Sequence, residues 1–595
     1  MDNTARDLSS VLLLSGNEAI ARGAWEAGVR FGSGYPGTPS SEILPALKAL
    51  GDAYVEWSVN EKVALEAASG ASIAGARALA TTKHVGLNVA ADPLFTMSYT
   101  GVEGGLVIVV ADDPSMHSSQ NEQDSRNFAR AAKVPMLQPS DSQEARDMMI
   151  RAFEISEEFD TPVLLCPVTR VCHSDGLVEV GDRKEVELRG DLLREPEKHV
   201  MVPGHARKRR LVVAERTKKL AEFAEQDEIN REEMGDTSIG IIAAGTSYEY
   251  AREVFPEASF LKLGLVWPLP VERIRSFAEK VDRLFVVEEL DPFLTDQIRA
   301  LGIEVEEVDE SFRIGELTPA RVKQMIAGDA LPETGADADL PPRPPTLCAG
   351  CSHRSVFVAL RKIGAYVTGD IGCYTLGTLA PLQAMHTTLC MGAGVNQAHG
   401  IQKVRGHETP VVAVIGDSTF THSGITGLVN IAYNAGVSTV AIVDNRTTAM
   451  TGGQVHPGVG ETLSGLPGRE LDFVKLAEAV GVEDVCVVDP YQMAETEEAL
   501  RAAIANPEPS VVIARHPCVL MVRDRQPAPA LDIDACIRCG ICIRIGCPAL
   551  SNVSADGEKP LPEVDVTLCT GCLMCAQACP VDALAVDEVT GEGDR

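Results

Sequence analysis

"VVAVIGDSTFTHSGITGLVNIAYNAGVSTVAIVDN", residues 411–445, decides how the chain around it folds. Its two ends, 411–416 and 439–444, are almost wholly apolar and rich in valine, the composition of parallel strands covered on both faces. The stretch between them is long enough for the crossover helix that parallel neighbours require. The first strand ends in Gly416-Asp417 and the second in Asp444-Asn445, with Asp417 and Asn445 28 positions apart. One βαβ unit brings both ends to the same carboxyl edge, where doubly wound sheets bind ligands. A carboxylate and an amide oxygen at that edge suit Mg²⁺ holding a diphosphate. A plain Rossmann-like domain is the alternative, since a lone Gly-Asp pair is weak evidence.

The whole arrangement resembles the GDG…NN fingerprint of thiamine-diphosphate enzymes, with Ser418 and Asp444 as departures that leave the metal ligands in place. The resemblance implies Gly416, Asp417, Ser418, Asn445 and Thr447 around the cofactor, with Asp417, Asn445 and the Thr447 carbonyl on Mg²⁺. "TGGQ" (451–454) resembles the 2-oxoacid:ferredoxin oxidoreductases. Thiamine also needs a buried carboxyl that drives its aminopyrimidine to the imino form. "EWSVNEKVALEAA" (56–68) offers Glu61 at a strand-to-helix junction, with Glu56 and Glu66 as competitors; Glu66 reads more simply as helix surface. "YPGTPSS" (35–41) resembles the substrate-side loop of that family, in which Thr38 contacts the 2-oxoacid or the cofactor. His84 and Asn88 in "TKHVGLNVAADPL" (82–94), and His117 and Asn121 in "HSSQNEQDSR" (117–126), follow apolar strands and are further candidates. For each of these four, a structural role stands beside the chemical one.

Eight of the sixteen cysteines lie between Cys536 and Cys579. Cys569, Cys572, Cys575 and Cys579-Pro580 form a regular bacterial ferredoxin run, whose fourth cysteine ligates the other cluster. That rule gives one [4Fe–4S] cluster to Cys536, Cys539, Cys542 and Cys579, and a second to Cys569, Cys572, Cys575 and Cys547. Zinc usually takes separated pairs or Cys/His sets. The first run is irregular: four residues, Ile543 to Gly546, precede Cys547 where three are usual. The lengthening falls on the crossing cysteine and leaves the first triad undisturbed.

The chain is 595 residues long with a formal net charge of −32. About four domains are expected from the length. The charge argues against nucleic acid or an anionic membrane as partner. No transmembrane run is expected, and the polar, acidic "MDNTARDLSS" does not read as a signal peptide. With C-x-x-C runs in place of disulfides, a reducing cytoplasm is the expected compartment. The expected fold class is α/β, with two doubly wound thiamine-diphosphate domains, a smaller α/β domain between them and a C-terminal ferredoxin-like domain. The boundaries read as 1–185 (pyrimidine-binding), 186–235 (charged connection, its "RKRR" at 207–210 on a solvated face), 236–328 (small α/β, transketolase C-terminal-like), 329–346 (linker), 347–522 (diphosphate and Mg²⁺ binding), 523–532 (linker) and 533–595 (two [4Fe–4S]). Ser40 or Ser41 is expected to cap the helix in "EILPALKAL".

Together with "SGNEAIARGAWEAGV", "YPGTPSSE", "NEKVALE", "CAGCSHR" and "DIGCYTLG", these motifs resemble the alpha subunit of the indolepyruvate ferredoxin oxidoreductase family along nearly the whole chain. The irregular first cysteine run matches it too. The resemblance implies oxidative decarboxylation of aryl 2-oxoacids to acyl-CoA, with coenzyme A as co-substrate and electrons passed to ferredoxin. It also implies a smaller beta subunit, hence a hetero-oligomer. Cys348, Cys351, Cys373 and Cys518 remain open: a third cluster, active-site thiols, or buried free thiols.

Overall fold

Seven strands, nearly all apolar, build the sheet that carries the first half of the chain. Their order is Leu265–Trp267, Met136–Leu137, Val163–Leu165, Leu106–Ala111, Ala78–Lys83, Phe31–Gly34, Tyr54–Trp57. All neighbours pair parallel except Leu265–Trp267, which runs antiparallel to Met136–Leu137. In this computed structural model the described residues are 10–188, 192, 194–328, 344–406, 408–523 and 525–586. The chain divides into two units, Met1–Ala338 and Asp339–Arg595. Most of the expected 329–346 linker falls outside the described residues.

In the first unit the strands Ala78–Lys83 and Leu106–Ala111 are buried at every position, so both faces must be covered. The helices Glu61–Ile73, Ala91–Thr100 and Ser142–Phe159 supply part of that cover. The region expected as a separate small domain has its own sheet, ordered Leu284–Val287, Asp236–Ala243, Ala258–Lys262, Arg231–Glu233. It is less separate than its sequence suggests. Leu265–Trp267 leaves it to edge the large sheet, and Ile242, Leu261, Val266, Phe277 and Val286 share one core with Leu94, Ile108, Val134 and Leu164. The expected charged connection holds the helix Pro203–Gln226. Of its basic run, Arg209 bonds the Tyr99 carbonyl at 2.6 Å and Asp160 at 2.9 Å, so that part of the face is not solvated.

The expected Ser40 or Ser41 cap does not form. The helix Ile43–Leu50 begins after Glu42 without a side-chain cap, and Ser40 Oγ instead donates to the Gly37 carbonyl at 3.0 Å. Ser40 thus tightens the 35–41 loop.

In the second unit five parallel strands run in the order Tyr366–Thr368, Val411–Gly416, Thr439–Asp444, Ser510–Arg515, Asp484–Val488. Val411–Gly416 and Thr439–Asp444 are adjacent and fully buried, as the opening stretch requires. The C-terminal part is built from two short antiparallel pairs, Ala530–Leu531 with Leu584–Ala585 and Leu550–Asn552 with Pro562–Val564. Among the described residues no helix is long and apolar enough to cross a membrane.

Candidate active site and electron-transfer centres

In the first unit, four adjacent strands deliver the candidates to one carboxyl edge. Thr38 follows Phe31–Gly34, Glu61 follows Tyr54–Trp57, and Lys83-His84 ends Ala78–Lys83, next to Leu106–Ala111 and the Asp112-Asp113 pair behind it. Glu61 is the first residue of its helix and is buried, with Asn60 Oδ1 capping Val63 N at 2.9 Å. Gly86 makes the room Glu61 needs. A Cβ at Gly86 would come within 2.5 Å of Glu61 Oε1 and 2.7 Å of its Cγ, besides meeting Thr82 Oγ1. Gly86→Ala is therefore expected to destabilise the fold by about 1–3 kcal/mol through overpacking, and to lower activity by displacing Glu61. Thermal unfolding and turnover on the same variant check both.

His84 is buried, with Nε2 3.2 Å from the Asn121 carbonyl and Nδ1 without a partner. Burial, and then the Lys83 charge, pull it down to about 4, so the ring is neutral at pH 7. Lys83 lies beneath the Gly37 backbone and donates to the Ser118 carbonyl at 2.9 Å. Burial lowers it to about 8 against the pull of Asp113 and Glu61. Ser118 Oγ in turn donates to the Thr38 carbonyl at 3.1 Å. Asn88 is exposed, and His117 turns to Glu316 at 3.3 Å, so neither belongs to this buried set. Glu56 accepts from Ser58 Oγ at 3.1 Å, and Glu66 is exposed and pairs with Lys62.

In the second unit Asp417 Oδ1 accepts from Ser418 N at 2.8 Å, and Oδ2 from Arg446 N at 2.7 Å and from His456 at 3.1 Å. His456 Nδ1 accepts Gly458 N at 3.1 Å, which leaves its Nε2 to carry the proton toward Asp417. Burial opposes ionisation of Asp417, yet the hydrogen bonds from His456 and Ser418 N prevail and hold the carboxyl below its ordinary range. Asp444, the residue that departs from the fingerprint, is raised by burial and by the Asp417 charge; Arg515 Nε bonds it at 2.6 Å and offsets that second acid. Ser418, the other departure, accepts from Thr448 Oγ1 at 2.9 Å. Asn445 and Thr447 are buried beside Asp417, with Thr447 N on Asn445 Oδ1 at 3.2 Å. Carboxylate, amide and carbonyl oxygens form a hard donor set that fits Mg²⁺.

The cysteines sort into three groups. Burial pushes the Cys542 thiol up, and the neighbouring Cys539 and Cys579 push it further. Burial raises Cys572 as well, and its neighbours are Cys547 and Cys569. Cys575 reaches about 12, first by burial and then through Cys572, Cys547 and Cys569. A small cavity is lined by Cys547, Cys569, Cys572 and Cys575. Thiols crowded this way are reluctant to ionise together, and metal binding relieves that by taking up the thiolate charge. Cys536 is half-buried in its loop. The third group is Cys348, Cys351, Cys373 and Cys518. Burial raises Cys351 to about 12, with Cys373 and Cys348 as neighbours, and raises Cys373 to about 11, with Cys518 and Cys348 as neighbours. Asp417 acts on both Cys373 and Cys518, and Cys518 N donates to the Asn445 carbonyl at 2.9 Å. Cys373 and Cys518 therefore adjoin the Asp417 site, with Cys348 and Cys351 as their neighbours. Among the described residues no three His, Cys, Asp or Glu side chains are gathered as a ready metal-ion site.

Three family models match the chain: "Pyruvate flavodoxin/ferredoxin oxidoreductase, thiamine diP-bdg" over residues 22–234, "Thiamine pyrophosphate enzyme, C-terminal TPP binding domain" over 370–514, and "4Fe-4S binding domain" over 562–585. The indolepyruvate oxidoreductase subunit IorA of Archaeoglobus fulgidus is 41% identical over 611 residues, covering 96% of this chain and 97% of the relative. Its namesake in Pyrococcus abyssi is 41% identical over 627 residues, covering 96% of each. This chain belongs to the indolepyruvate oxidoreductase IorA family. It is a thiamine-diphosphate-dependent oxidoreductase chain of the 2-oxoacid:ferredoxin type, with an iron–sulfur domain at residues 562–585.

Three residues of this IorA-family chain escaped the sequence reading. His456 lies in "QVHPG", two positions past the "TGGQ" motif, and could have been suspected from that alone. Arg515 ends a distant strand, and only the parallel pairing of Thr439–Asp444 with Ser510–Arg515 shows that it faces Asp444. Lys83 had a weak signal, being a lysine at the end of an otherwise uncharged buried strand.

Proposed function

We propose that this chain is the catalytic subunit of an enzyme that oxidatively decarboxylates aryl 2-oxoacids such as indolepyruvate to acyl-CoA and delivers the electrons to ferredoxin, in complex with a smaller beta subunit. The observation that carries the reading is the near-full-length match to relatives named as indolepyruvate oxidoreductase subunits. Thiamine diphosphate, when bound, supplies the carbon nucleophile that attacks the keto group and retains the electron pair once CO₂ has left. Glu61 serves the aminopyrimidine, as the buried carboxyl that receives and returns its proton. Asp417, Asn445 and the Thr447 carbonyl hold Mg²⁺ and through it the diphosphate, with His456 keeping Asp417 ionised and oriented. Thr38 and His84 border the same edge as Glu61, where they position the 2-oxoacid. The ferredoxin-like cysteines, in their crossed assignment, hold two [4Fe–4S] clusters that pass electrons singly.

Copurification with the partner subunit, followed by ferredoxin or viologen reduction, tests the assignment. Indolepyruvate and phenylpyruvate are expected to support CoA-dependent reduction at a kcat/KM at least about tenfold above that of pyruvate, a difference of about 1.4 kcal/mol in transition-state binding. A preference for pyruvate or a branched-chain acid would reassign the substrate and leave the chemistry in place.

The same reading extends to the third cysteine group, for which we propose a third cluster. Its support is the mutual proximity of the four thiols, two of which, Cys373 and Cys518, lie near Asp417. The loop Cys348-Ala-Gly-Cys351 also packs on the second ferredoxin run, where a Cβ at Gly350 would strike Thr570 Oγ1. Tyr491 joins the two, its hydroxyl donating to the Gly350 carbonyl at 2.6 Å, with Cys351 and Cys572 both acting on it. Iron analysis of anaerobically purified protein is expected to give about twelve irons per chain, where two clusters would give about eight.

A further inference from the structure

Arg354 is 1% exposed, the bulkiest of the fully buried side chains among the described residues. It stands near the start of the helix His353–Ile363, three positions after Cys351. Its guanidinium donates four hydrogen bonds, every one to a main-chain carbonyl. Nη1 reaches Ile545 at 3.1 Å and Gly546 at 2.5 Å, while Nη2 reaches Leu347 at 2.7 Å and Cys348 at 3.1 Å. Nε is buried without a partner. Among the described residues no carboxylate pairs with this cation.

A buried charge is costly unless something of opposite sign faces it. Arg354 forms part of the wall of the small cavity that Cys547, Cys569, Cys572 and Cys575 share with apolar side chains such as Leu550 and Met574. Two of the four carbonyls it grips, those of Ile545 and Gly546, belong to the turn that the irregular motif lengthens. Ile543–Ile545 form one 3-10 turn, closed by Gly546 at φ +74°, whose missing side chain leaves room for Pro381.

From this placement we infer that Arg354 is a positioning residue for electron exit: it clamps the lengthened Ile543–Gly546 turn to the Cys348 loop and serves as the counter-charge of the cluster held by Cys547, Cys569, Cys572 and Cys575. The inference rests on the cluster assignment proposed above. Reduction of that cluster adds one electron, taken from substrate oxidation and later passed to ferredoxin, and breaks no bond. The added negative charge faces a fixed cation, which favours the reduced form and raises the potential.

The test is a redox titration of the full chain with its partner subunit, followed by electron paramagnetic resonance. The signal of interest is the one missing from Cys547→Ala. Arg354→Gln keeps hydrogen-bond donors but loses the charge; Arg354→Lys keeps the charge but loses the fork. The Gln variant is expected to shift that cluster at least tenfold toward the oxidised form, 59 mV for a one-electron couple, with the Lys variant within threefold of wild type. Loss of the cluster from the Gln variant alone, with Lys at the wild-type potential, also supports the counter-charge. Equal potentials in all three proteins, or loss of the cluster from both variants, overturns it. Wild-type protein without iron would instead overturn the cluster assignment, before any variant is compared.

Discussion

Glu61→Gln is expected to lower kcat by about 10²–10⁴-fold while leaving iron content and thermal unfolding close to wild type. The argument is one of position. Glu61 is a buried carboxyl at the start of a helix, at the ligand edge of a parallel sheet, with Gly86 held open against it. Glutamine keeps the shape and a hydrogen bond but cannot take up a proton. The competing acids provide the contrast. Glu66 is exposed and bound to Lys62, and Glu56 is occupied with Ser58, so Glu66→Gln should turn over at the wild-type rate. Steady-state viologen reduction with iron analysis on both variants decides it. A Glu61→Gln enzyme of normal rate would remove Glu61 from the proton path.

What the sequence made legible was whatever a local pattern encodes. The valine-rich runs 411–416 and 439–444 predict buried parallel neighbours, and they are adjacent at every paired position from Val412–Thr439 to Gly416–Val443. Asp417 and Asn445 come to one edge because strand ends do so in any such unit. Local pattern fails where distant segments decide. Leu265–Trp267 reads like any short strand, and nothing in its three residues says that it pairs with Met136–Leu137 rather than with its own domain's sheet. Asp444 looks like a fault in the fingerprint until Arg515, supplied by another strand, is seen against it. Ser40 and Ser41 resemble helix caps because the residue type is right, but a serine bound to the Gly37 carbonyl tightens the preceding loop instead. The extra residue before Cys547 was legible only as an irregularity. Its use, exposing the Ile545 and Gly546 carbonyls to Arg354, depends on a helix almost two hundred positions upstream.

The crossed assignment gives the other large effect. Cys547→Ala is expected to abolish the cluster of Cys569, Cys572 and Cys575, although it sits in the first run, and Cys579→Ala to abolish that of Cys536, Cys539 and Cys542, although it sits in the second. Each variant should lose about four irons per chain or fall to a three-iron form, with the loss assigned by which triad becomes reactive toward a thiol reagent. The neighbours of the thiols argue for the crossing. Cys547 acts on Cys572 and Cys575, and Cys579 acts on Cys542 together with Cys539. An uncrossed arrangement would place Cys547 against Cys536, Cys539 and Cys542, and the lengthened turn would then strain its own cluster. With the crossing, the turn is free to grow because its far end answers to the other triad. Electron delivery to ferredoxin should fall by at least about tenfold in either variant, since each interrupts the relay at a different step, while CO₂ release in a single turnover should persist. If Cys547→Ala instead exposed the Cys536 triad, the crossing would be wrong, and the irregular run would have to close on itself.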